Sequence, residues 1–530
     1  MAGEGPVLVV VPHGGLCERD LLEPHGAGTL RGNDLHTGEV ARELARRLGA
    51  TLIENLSVDR NQLDLNRVDE VTSRAPWFLA LMQRELERIL ERHAVAEVLF
   101  VHGWHVVQPS CDVGVGARLA CAADAQPLAP RLTASPDYVR GPLEVLRRAG
   151  ERLGIRTTYG ERWPAAHRNN VMQLFRRAPR TPSSEHCAAL ASLAAAGRAH
   201  AVQLELGAPL RFPGAWRERF VTAAAEAFAT RDNARATASD AREAEDVAAA
   251  EAPSEGARGV ALQLHDRAAG LGVVAGVGSL GRGEVGGRLL LLPGGQRLLL
   301  FTGHGRARAD GALAVGGLET RAGDGTLEVR YHGPLLDIPD AALYFRDEAA
   351  QLGARVADAD VELRFAAAYD GWGRVDGRVA FDGTTFRIAA RGCTDRVLAR
   401  LAPDRPGSTL RLTASFGADL ALTADLADTT AAADAVVRTS GGRELVALRG
   451  GLPPLAPGRL AAPFAFTTDA GDELRCEPSS HVTLLRPLAD GLFARVTFGV
   501  ATYGLGARRG SGFYEHTTAF TCEVAPSEDA

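Results

Sequence analysis

The stretch that decides the fold of the first half of the chain is Val7-Leu8-Val9-Val10-Val11-Pro12-His13-Gly14-Gly15. Five apolar residues in a row, bounded by a proline and glycines, are typical of a short strand that is buried on both faces. His13 therefore follows a buried strand, at the carboxyl edge of the predicted sheet, where ligand sites of α/β folds gather. A histidine at this position is either a metal ligand or a hydrogen-bonded structural residue.

Strands and helices continue to alternate to about residue 230. Further buried strands are predicted at 50–53, 98–101 and 201–206. Apolar residues at helical spacing predict helices at 38–48 and 78–90. This alternation predicts an α/β domain over residues 1–230.

The composition changes after residue 230. Residues 231–258 are mostly Ala, Asp, Glu and Ser, so we interpret them as a linker, part of which is able to form a lone helix. From residue 259 onward, short apolar runs, such as 289–292 and 361–366, are separated by Gly, Asp and Pro. Closely spaced strands with turn signals predict β-barrels or sandwiches. The length of this region favours two barrels, at 259–400 and 401–530.

Charge and residue usage exclude several functions. The 530 residues carry a formal charge of −6, with 46% hydrophobic and 23% charged residues, which is a globular composition without a basic excess. We therefore expect no nucleic-acid partner. All 59 basic residues are arginines, which excludes a Schiff-base lysine and the lysine of a P-loop.

The cysteines and the amino terminus bear on the cellular compartment. Seven scattered cysteines without a CxxC pair predict reduced thiols rather than a disulfide framework. The first residues include neither a basic region nor a long apolar run. We therefore expect no membrane span and a cytoplasmic protein.

Two polar segments of the first half carry candidate site residues. Asp34 precedes the first predicted helix, where it is either a helix cap or a metal ligand. Residues 59–67, Asp-Arg-Asn-Gln-Leu-Asp-Leu-Asn-Arg, crowd arginines, amides and carboxylates together. This cluster is either a surface network of salt bridges or a clamp for a substrate carboxylate.

Two later segments add histidines and a carboxylate. His102 and His105 follow a predicted strand, and two imidazoles at this spacing are able to reach one metal. Glu205 lies inside an apolar strand, where a carboxylate is costly unless it is paired, so it is a candidate base with a raised pKa. Ligands, an anion clamp and a base are together the parts of a metallohydrolase.

Four of these pieces occur in an order that is found in a known family. Pro12-His13-x-Gly15, Asp64-Leu65-Asn66-Arg67, the histidine at 102 and Gln203-Leu204-Glu205-Leu206 resemble the N-formylglutamate amidohydrolase family, which is similar to zinc carboxypeptidases and aspartoacylase. The resemblance covers nearly all of residues 6–230. It implies a three-layer α/β fold of the zinc-hydrolase type.

The resemblance implies one zinc ion as the cofactor. His13 would be the first ligand, Asp34 the carboxylate ligand and His102 the second histidine ligand. The family usually has an aspartate two residues before this second histidine, where this chain has Phe100, and His105 offers a rival alignment. Phe100 is unable to orient an imidazole as a carboxylate would.

The resemblance also implies how a small-molecule substrate is bound. Asn66 and Arg67, with Asp64 beside them, would hold the substrate carboxylate. Arg60 would assist this clamp or polarise the scissile carbonyl. Glu205 would act as the general base, taking a proton from the attacking water and passing it to the leaving amine.

Three motifs of the second half resemble another family. Leu262-x-Leu264-His265-Asp266, Gly392-Cys393-Thr394-Asp395-Arg396 and Gly510-Ser511-Gly512-Phe513-Tyr514-Glu515-His516 resemble the hydroxyneurosporene synthase (carotenoid hydratase) group, which has tandem lipocalin-like barrels. The Ser-Trp-Gly portion of that group's central motif is replaced here by Val397-Leu398-Ala399. The resemblance implies two lipocalin-like barrels.

The barrel motifs supply candidate ligand residues. A small lipophilic ligand would bind at a barrel mouth near Asp395, Arg396 and Glu515. Alternatively, Asp395 and Arg396 form a structural ion pair and Glu515 only faces another strand.

These patterns favour two functions. The first is a zinc-dependent amidohydrolase that cleaves an N-formyl or N-acyl amide bond of a carboxylate-bearing amino-acid derivative. The alternative is a catalytically inactive first domain whose barrels bind or carry a small lipophilic ligand. A third possibility is that both halves act together on an acylated lipophilic metabolite.

Overall fold

The computed structural model describes residues 2–22, 30–178, 184–229, 259–281, 284–306, 313–369, 371–395, 407–427, 432–439, 442–453, 461–489 and 492–521. The chain divides into two compact units, one of residues 1–18 and 31–246 and one of residues 19–30 and 247–530. The predicted order, an α/β region followed by an all-β region, is confirmed. The predicted linker at 231–258 and the predicted boundary between the barrels at 400 lie outside the described residues.

The described residues of the first unit form one mixed sheet of six strands, in the order β2-β1-β3-β6-β4-β5. Its strands are β1 Val7–Val11, β2 Thr51–Glu54, β3 Ala96–Gly103, β4 Ser110–Gly114, β5 Arg156–Thr158 and β6 Ala199–Leu206. Strands β2, β1, β3 and β6 run parallel to one another, and β4 runs antiparallel to β6. The carboxyl ends of β1, β3 and β6 therefore meet at one edge of the sheet.

Helices cover both faces of this sheet. The α-helices are α1 Thr37–Leu48, α2 Val68–Ser73, α3 Pro76–Leu90, α4 Ala125–Leu128, α5 Pro136–Tyr138, α6 Glu144–Arg152, α7 Glu185–Ala195, α8 Ala208–Arg211 and α9 Ala215–Ala229. Short 3₁₀ turns lie at Ala122–Asp124, Ala129–Arg131 and Val171–Phe175, and a π-helical turn lies at Val139–Leu143. Helices α1, α6 and α9 pack on one face and α3 and α7 on the other, which gives three layers.

Sequence pattern explains the first strand and the first helix. All five residues of β1 are buried, as the apolar run predicts for a strand between two helical layers. In α1, Val40 and Leu44 lie on the buried face at helical spacing. Gly49 follows the last helical residue as the C-cap of α1. Its φ of 57° is a left-handed conformation that glycine adopts without strain.

Strands β4 and β5 were not predicted, because they are short and lack an extended apolar run. A buried carboxylate fixes the loop that follows β5. Asp112 accepts hydrogen bonds from the Thr158 hydroxyl at 2.7 Å and from the backbone N–H of Glu161, Arg162 and Trp163 at 2.9, 2.8 and 2.7 Å. These four hydrogen bonds to one buried side chain hold the loop in place.

The second unit begins with a closed antiparallel barrel. Its sheet contains β7 Val260–Asp266, β8 Leu271–Gly281, β9 Glu284–Leu292, β10 Leu298–Arg306, β11 Leu313–Val315, β12 Leu318–Gly323, β13 Thr326–Ile338, β14 Arg355–Tyr369, β15 Trp372–Phe381 and β16 Thr384–Asp395, with short helices α10 Ala341–Tyr344 and α11 Glu348–Gln351. Pairing of β7 with β16 and of β10 with β13 closes a ring of eight strands. Alternating side chains such as Leu327, Val329 and Tyr331 fill its interior.

An ion-pair cluster lies where this barrel closes. Arg297 donates two hydrogen bonds to the buried carboxylate of Asp337, at 2.8 and 3.0 Å, and Arg355 donates a third at 2.9 Å. Both arginines also pair with Asp382. Because Asp337 lies beside the pair Leu298 and Ile338 that joins β10 to β13, the cluster ties the closing strands together.

The remaining strands form a second sheet that also closes on itself. They are β17 Gly407–Ser415, β18 Leu420–Ala427, β19 Ala432–Thr439, β20 Gly442–Arg449, β21 Phe464–Thr468, β22 Glu473–Pro478, β23 Val482–Ala489, β24 Leu492–Leu505 and β25 Arg508–Thr521. The long strand β24 pairs with β23, β25 and β22, and the last pairing completes the ring. No helix of the described residues is long and apolar enough to cross a membrane.

Candidate metal centre

Three parallel strands bring candidate residues to the same edge of the sheet. His13 follows β1, His102 is the next-to-last residue of β3, and Glu205 is the next-to-last residue of β6. In the pairing of β3 with β6, His102 lies directly opposite Glu205. Side chains of directly paired residues point to the same face of a sheet, so these groups share one face.

Asp34 enters from the segment before α1. Its backbone N–H donates to the His13 carbonyl at 2.9 Å, which fixes the segment beside the end of β1. The residue at the start of α1 is His36, and no side chain there forms a cap hydrogen bond. The Asp34 carboxylate contacts His13 and His102 and forms no cap hydrogen bond to α1, so it does not act as a helix cap; its role as a metal ligand stays a prediction.

His13, Asp34 and His102 converge on one point. The Nδ1 atoms of His13 and His102 lie 3.1 and 3.0 Å from the same oxygen, Oδ2 of Asp34. The potential ligand atoms of all three residues lie within 4.8 Å of one another, and all three side chains are buried. Bonds of about 2.0–2.1 Å in a tetrahedral zinc site separate neighbouring ligand atoms by about 3.3 Å. The three groups therefore fit one divalent ion.

The protonation of this cluster also fits a cation. Burial acts to lower the pKa of His13, but hydrogen bonds to Asp34 and Asp64 outweigh it and raise the pKa above its usual value. Burial would raise the pKa of Asp34, yet hydrogen bonds with His102 and His13 hold it well below its usual range. Burial lowers the pKa of His102, which keeps that imidazole neutral. A bound metal ion would take the place of a proton on His13, since a ligand imidazole is unprotonated at the coordinating nitrogen.

Asp64 orients the first histidine. Its Oδ1 lies 2.7 Å from Nε2 of His13 and accepts the backbone N–H of Asn66 at 2.9 Å. A carboxylate on one ring nitrogen leaves the other nitrogen, Nδ1, directed at Asp34, where the candidate metal position lies. Asp64 thus contacts His13 in the structure, and its role in binding substrate stays a prediction. Arg31, which the sequence analysis missed, donates to the other oxygen of Asp64 at 3.3 Å.

Arg60 lies between the two carboxylates of the site. Its Nη1 is 3.4 Å from Asp34 Oδ1 and its Nη2 is 3.8 Å from Asp64 Oδ2. Its Nε is buried and has no hydrogen-bond partner among the described residues. The guanidinium therefore has a donor left for a substrate oxygen.

Glu205 has the environment of a general base. It is buried, and burial, reinforced by the negative charge of Asp34, raises its pKa to about 8. Gln203 donates to its Oε1 at 2.7 Å, and Asn170 in turn donates to Gln203 at 3.2 Å. The contact of Gln203 with Glu205 was not predicted, and neither was that of Asn170, which is remote in sequence and follows the loop that Asp112 fixes.

Asn66 and Arg67 lie at the side of this cluster. The Arg67 guanidinium pairs with Asp69 at 3.2 Å and with Glu70 at 3.4 Å, and its side chain is about one third exposed. The Oδ1 of Asn66 is buried and has no hydrogen-bond partner within the described ranges. The backbone of this segment is held by Asn170 and Val171, which bond to residues 66 and 67. The clamp role of the two residues stays a prediction.

The two histidines that follow β3 differ in their surroundings. His102 is buried in the cluster, whereas His105 is exposed, and the metal-ligand group found among the described residues contains only the former. The Nε2 of His102 has no hydrogen-bond partner in the described part of the chain. Phe100 packs beside Phe175 at a ring distance of 6.3 Å and supplies no polar atom to this imidazole.

The structure describes two of the three barrel candidates, Asp395 and Glu515, and they lie on different strands. Asp395 ends β16, where its backbone pairs with Ala261. Arg396 lies outside the described residues. Glu515 is half-buried in β25, opposite Arg411 of β17. The lipophilic ligand of the barrels therefore stays a prediction.

Comparison with known proteins yields structural neighbours only. No family model and no curated protein sequence matches the chain. Kievitone hydratase from Nectria haematococca aligns with 51% of this chain and 91% of its own, at 10% identity and a TM-score of 0.33. N-formylglutamate amidohydrolase from Ralstonia eutropha JMP134 aligns with 44% of this chain and 94% of its own, at 13% identity and a TM-score of 0.29. CghA with Sch210972 aligns with 49% of this chain and 88% of its own, at 11% identity and a TM-score of 0.27.

One of these neighbours is a hydratase and one is an N-formylglutamate amidohydrolase, and each of the three aligns with about half of the chain. At these identities and TM-scores, the likenesses assign neither family membership nor activity. The chain is thus similar to a hydratase and to an amidohydrolase, and its own chemistry has to be argued from the His13, Asp34 and His102 cluster.

Proposed function

We propose that the first unit is a zinc-dependent hydrolase that cleaves an N-formyl or N-acyl amide bond of a carboxylate-bearing amino-acid derivative. The observation that carries this proposal is the convergence of two imidazole nitrogens on one oxygen of Asp34, beside a buried carboxylate with a raised pKa. A structural histidine needs only one hydrogen-bond partner. Here two histidines share one carboxylate oxygen, and His13 also contacts Asp64.

The donor set suits zinc in a catalytic site. Catalytic zinc sites commonly have three protein ligands of nitrogen and oxygen type and leave one position open, which is the number and type present in His13, Asp34 and His102. Zinc, when bound, would supply Lewis-acid polarisation of the carbonyl and a water of lowered pKa. Asp64 holds His13 in the ring orientation that this requires.

The residues of the chain perform the proton and charge steps. Glu205 accepts the proton of the attacking water as the carbon–oxygen bond forms, and passes it to the amine nitrogen as the carbon–nitrogen bond breaks. A pKa near 8 places this carboxylate close to the pH at which it has to bind and release a proton. Arg60 donates to the carbonyl oxygen as negative charge develops there.

Asn66 and Arg67 bind the substrate carboxylate in this proposal. Arg67 would exchange its ion pairs with Asp69 and Glu70 for the substrate. Exposed ion pairs of this type contribute only ~0–1 kcal/mol, so a bidentate contact with a substrate carboxylate is able to replace them.

Metal analysis and one substitution test the proposal. The purified full chain should contain or take up one zinc per molecule and hydrolyse N-formyl or N-acyl amino acids. Glu205→Gln should keep the zinc and lose activity about 10²–10⁴-fold, the usual contribution of a general base. A wild-type protein that takes up no zinc, or a Glu205→Gln variant with full activity, would show that the proposal is wrong.

A further inference from the structure

Arg211 is a buried arginine in the short helix α8, directly after β6. It is 2% exposed, although it carries a full charge. Burying a guanidinium is costly unless its N–H groups find acceptors. Its acceptors are backbone carbonyls, which ties the position of the charge to the course of the main chain.

The three carbonyls belong to three separate segments of the site. Arg211 Nη1 donates to the carbonyl of Leu35 at 2.5 Å, Nη2 to that of Trp104 at 3.2 Å, and Nε to that of Leu206 at 3.1 Å. Leu35 follows Asp34, Trp104 lies two residues after His102, and Leu206 follows Glu205. One planar group thus contacts the three segments that carry two candidate ligands and the candidate base.

Gly103 explains how the guanidinium fits there. A Cβ atom at this residue would lie 2.4 Å from Cζ and 2.5 Å from Nε of Arg211, closer than real contacts allow. The glycine that follows His102 is therefore needed to leave room for the arginine. The pair Gly103 and Arg211 forms a matched unit at the carboxyl edge of β3 and β6.

We propose that Arg211 is a positioning residue of the metal centre, whose single guanidinium sets the distances between the segments that carry Asp34, His102 and Glu205. This inference rests on the proposed metal-dependent function. A guanidinium suits the task because its donors are held in one plane at fixed angles, whereas a lysine or an apolar side chain fixes no such geometry.

Metal binding by the full chain, measured with zinc alone and with cobalt alone, tests this role. Arg211→Met should bind zinc about 10–100-fold more weakly, as is typical when a group outside the ligand set no longer supports the ligands. The visible spectrum of bound cobalt should change, because the ligand positions shift. Arg211→Lys should recover little of this affinity, since it lacks the planar fork.

Arg88→Met is the matched control. Arg88 also donates to a backbone carbonyl, that of Gly3, at 3.2 Å, but it lies in α3 away from these segments. Its variant should keep the zinc affinity and the cobalt spectrum of the wild type. Circular dichroism and the thermal midpoint of each variant show that binding is measured on folded protein.

The outcomes separate the two proposals. Unchanged affinity and spectrum in folded Arg211→Met, or an equal loss in Arg88→Met, would overturn the positioning role and leave the metal-dependent function standing. A wild type that binds neither zinc nor cobalt would overturn both. If Arg211→Met does not fold, Gly103→Ala decides, because it displaces the guanidinium without removing it: a loss of at least tenfold supports the role, and unchanged affinity overturns it.

Discussion

His102 and His105 are three residues apart, and only His102 reaches Asp34. We therefore expect His102→Ala to lower zinc affinity by more than about 100-fold. Loss of a residue that only hydrogen-bonds to a ligand already lowers metal affinity about 10–100-fold, and loss of a ligand should cost more. His105→Ala should leave zinc affinity unchanged, since that side chain is exposed. Competition with a chromophoric chelator measures both. Equal losses in the two variants, or a loss in His105→Ala alone, would contradict the assignment.

Glu205 should make the metal-free protein sensitive to pH. Its pKa is about 8 in the fold against 4.5 for an ordinary glutamate, so between these values the folded chain keeps a proton that the unfolded chain has lost. The contribution of Glu205 to stability is present below about pH 4.5 and is lost as the pH rises toward 8.

Glu205→Gln removes this titration. We expect the variant to gain stability over the wild type as the pH rises from 5 to 8, by at most ~1.4 kcal/mol per pH unit. Urea unfolding of both proteins in the presence of a chelator, at pH 5, 6.5 and 8, measures the difference. A stability difference that stays constant over this range would argue against a raised pKa of Glu205.

The sequence pointed to residues that the structure brings together at one edge of the sheet, but it did not reveal most of the contacts that hold them there. His13 and Glu205 were identified because a polar residue in or beside an apolar strand is conspicuous. Asp64 was assigned to the substrate, although its carboxylate contacts His13. Gln203 was named as part of a motif but its contact with Glu205 was not predicted, and Arg211 was missed because its partners are backbone carbonyls of separate segments, which no sequence pattern displays.

At the scale of elements, the charge cluster that closes the first barrel is open to test. Asp337 is buried and accepts three hydrogen bonds from two arginines. Asp337→Ala should therefore destabilise the barrel by about 2–4 kcal/mol, since hydrogen bonds to charged groups contribute ~1.5–3 kcal/mol each and are partly screened here by solvent. Urea unfolding of the full chain measures this change.

The control for this substitution is Asp376→Ala in the same barrel. Asp376 pairs with Arg374, and both side chains are at least half exposed. Exposed pairs of this type contribute ~0–1 kcal/mol, so this variant should unfold close to the wild type. Similar destabilisation by both substitutions would mean that the position of Asp337 at the closing strands has no special effect.

Elements with a strong pattern were predicted, and short ones were not. The predicted strands at 50–53, 98–101 and 201–206 all overlap observed strands, because continuous apolar runs mark burial on two faces. Strand β4 was not predicted, because Ser110–Gly114 contains a carboxylate and two small residues. Its place beside β6 comes from antiparallel backbone pairing, and Asp112 ties it to the loop after β5; local sequence reveals neither contact.

At the scale of the whole molecule, metal binding should release protons. His13 has a raised pKa between two carboxylates, and Glu205 keeps its proton to about pH 8. A divalent ion disfavours both protonated forms. We expect zinc binding at pH 7 to release between one and two protons, measured by calorimetry in two buffers of different ionisation enthalpy. Release of none would mean that the cluster is unprotonated without metal.

Zinc should also stabilise the folded chain, because the ligands converge only in the fold. At a free zinc concentration 100 times the dissociation constant, the stabilisation is about 2.7 kcal/mol. Only the transition of the first unit should shift, since its described residues contain the proposed ligands. A shift of both transitions, or of neither, would contradict this prediction.

Closure of the first barrel has a consequence for the order in which the chain folds. Pairing of β7 with β16 joins Leu264 to Gly392, so this ring has to wait for residues far along the chain. Pairings between such distant segments form slowly. The last strand of the first sheet ends at Leu206 and its last helix at Ala229, before β7 begins at Val260. During synthesis, the proposed ligands and Glu205 are therefore made before any barrel strand, and we expect that the nascent chain acquires zinc before either barrel exists.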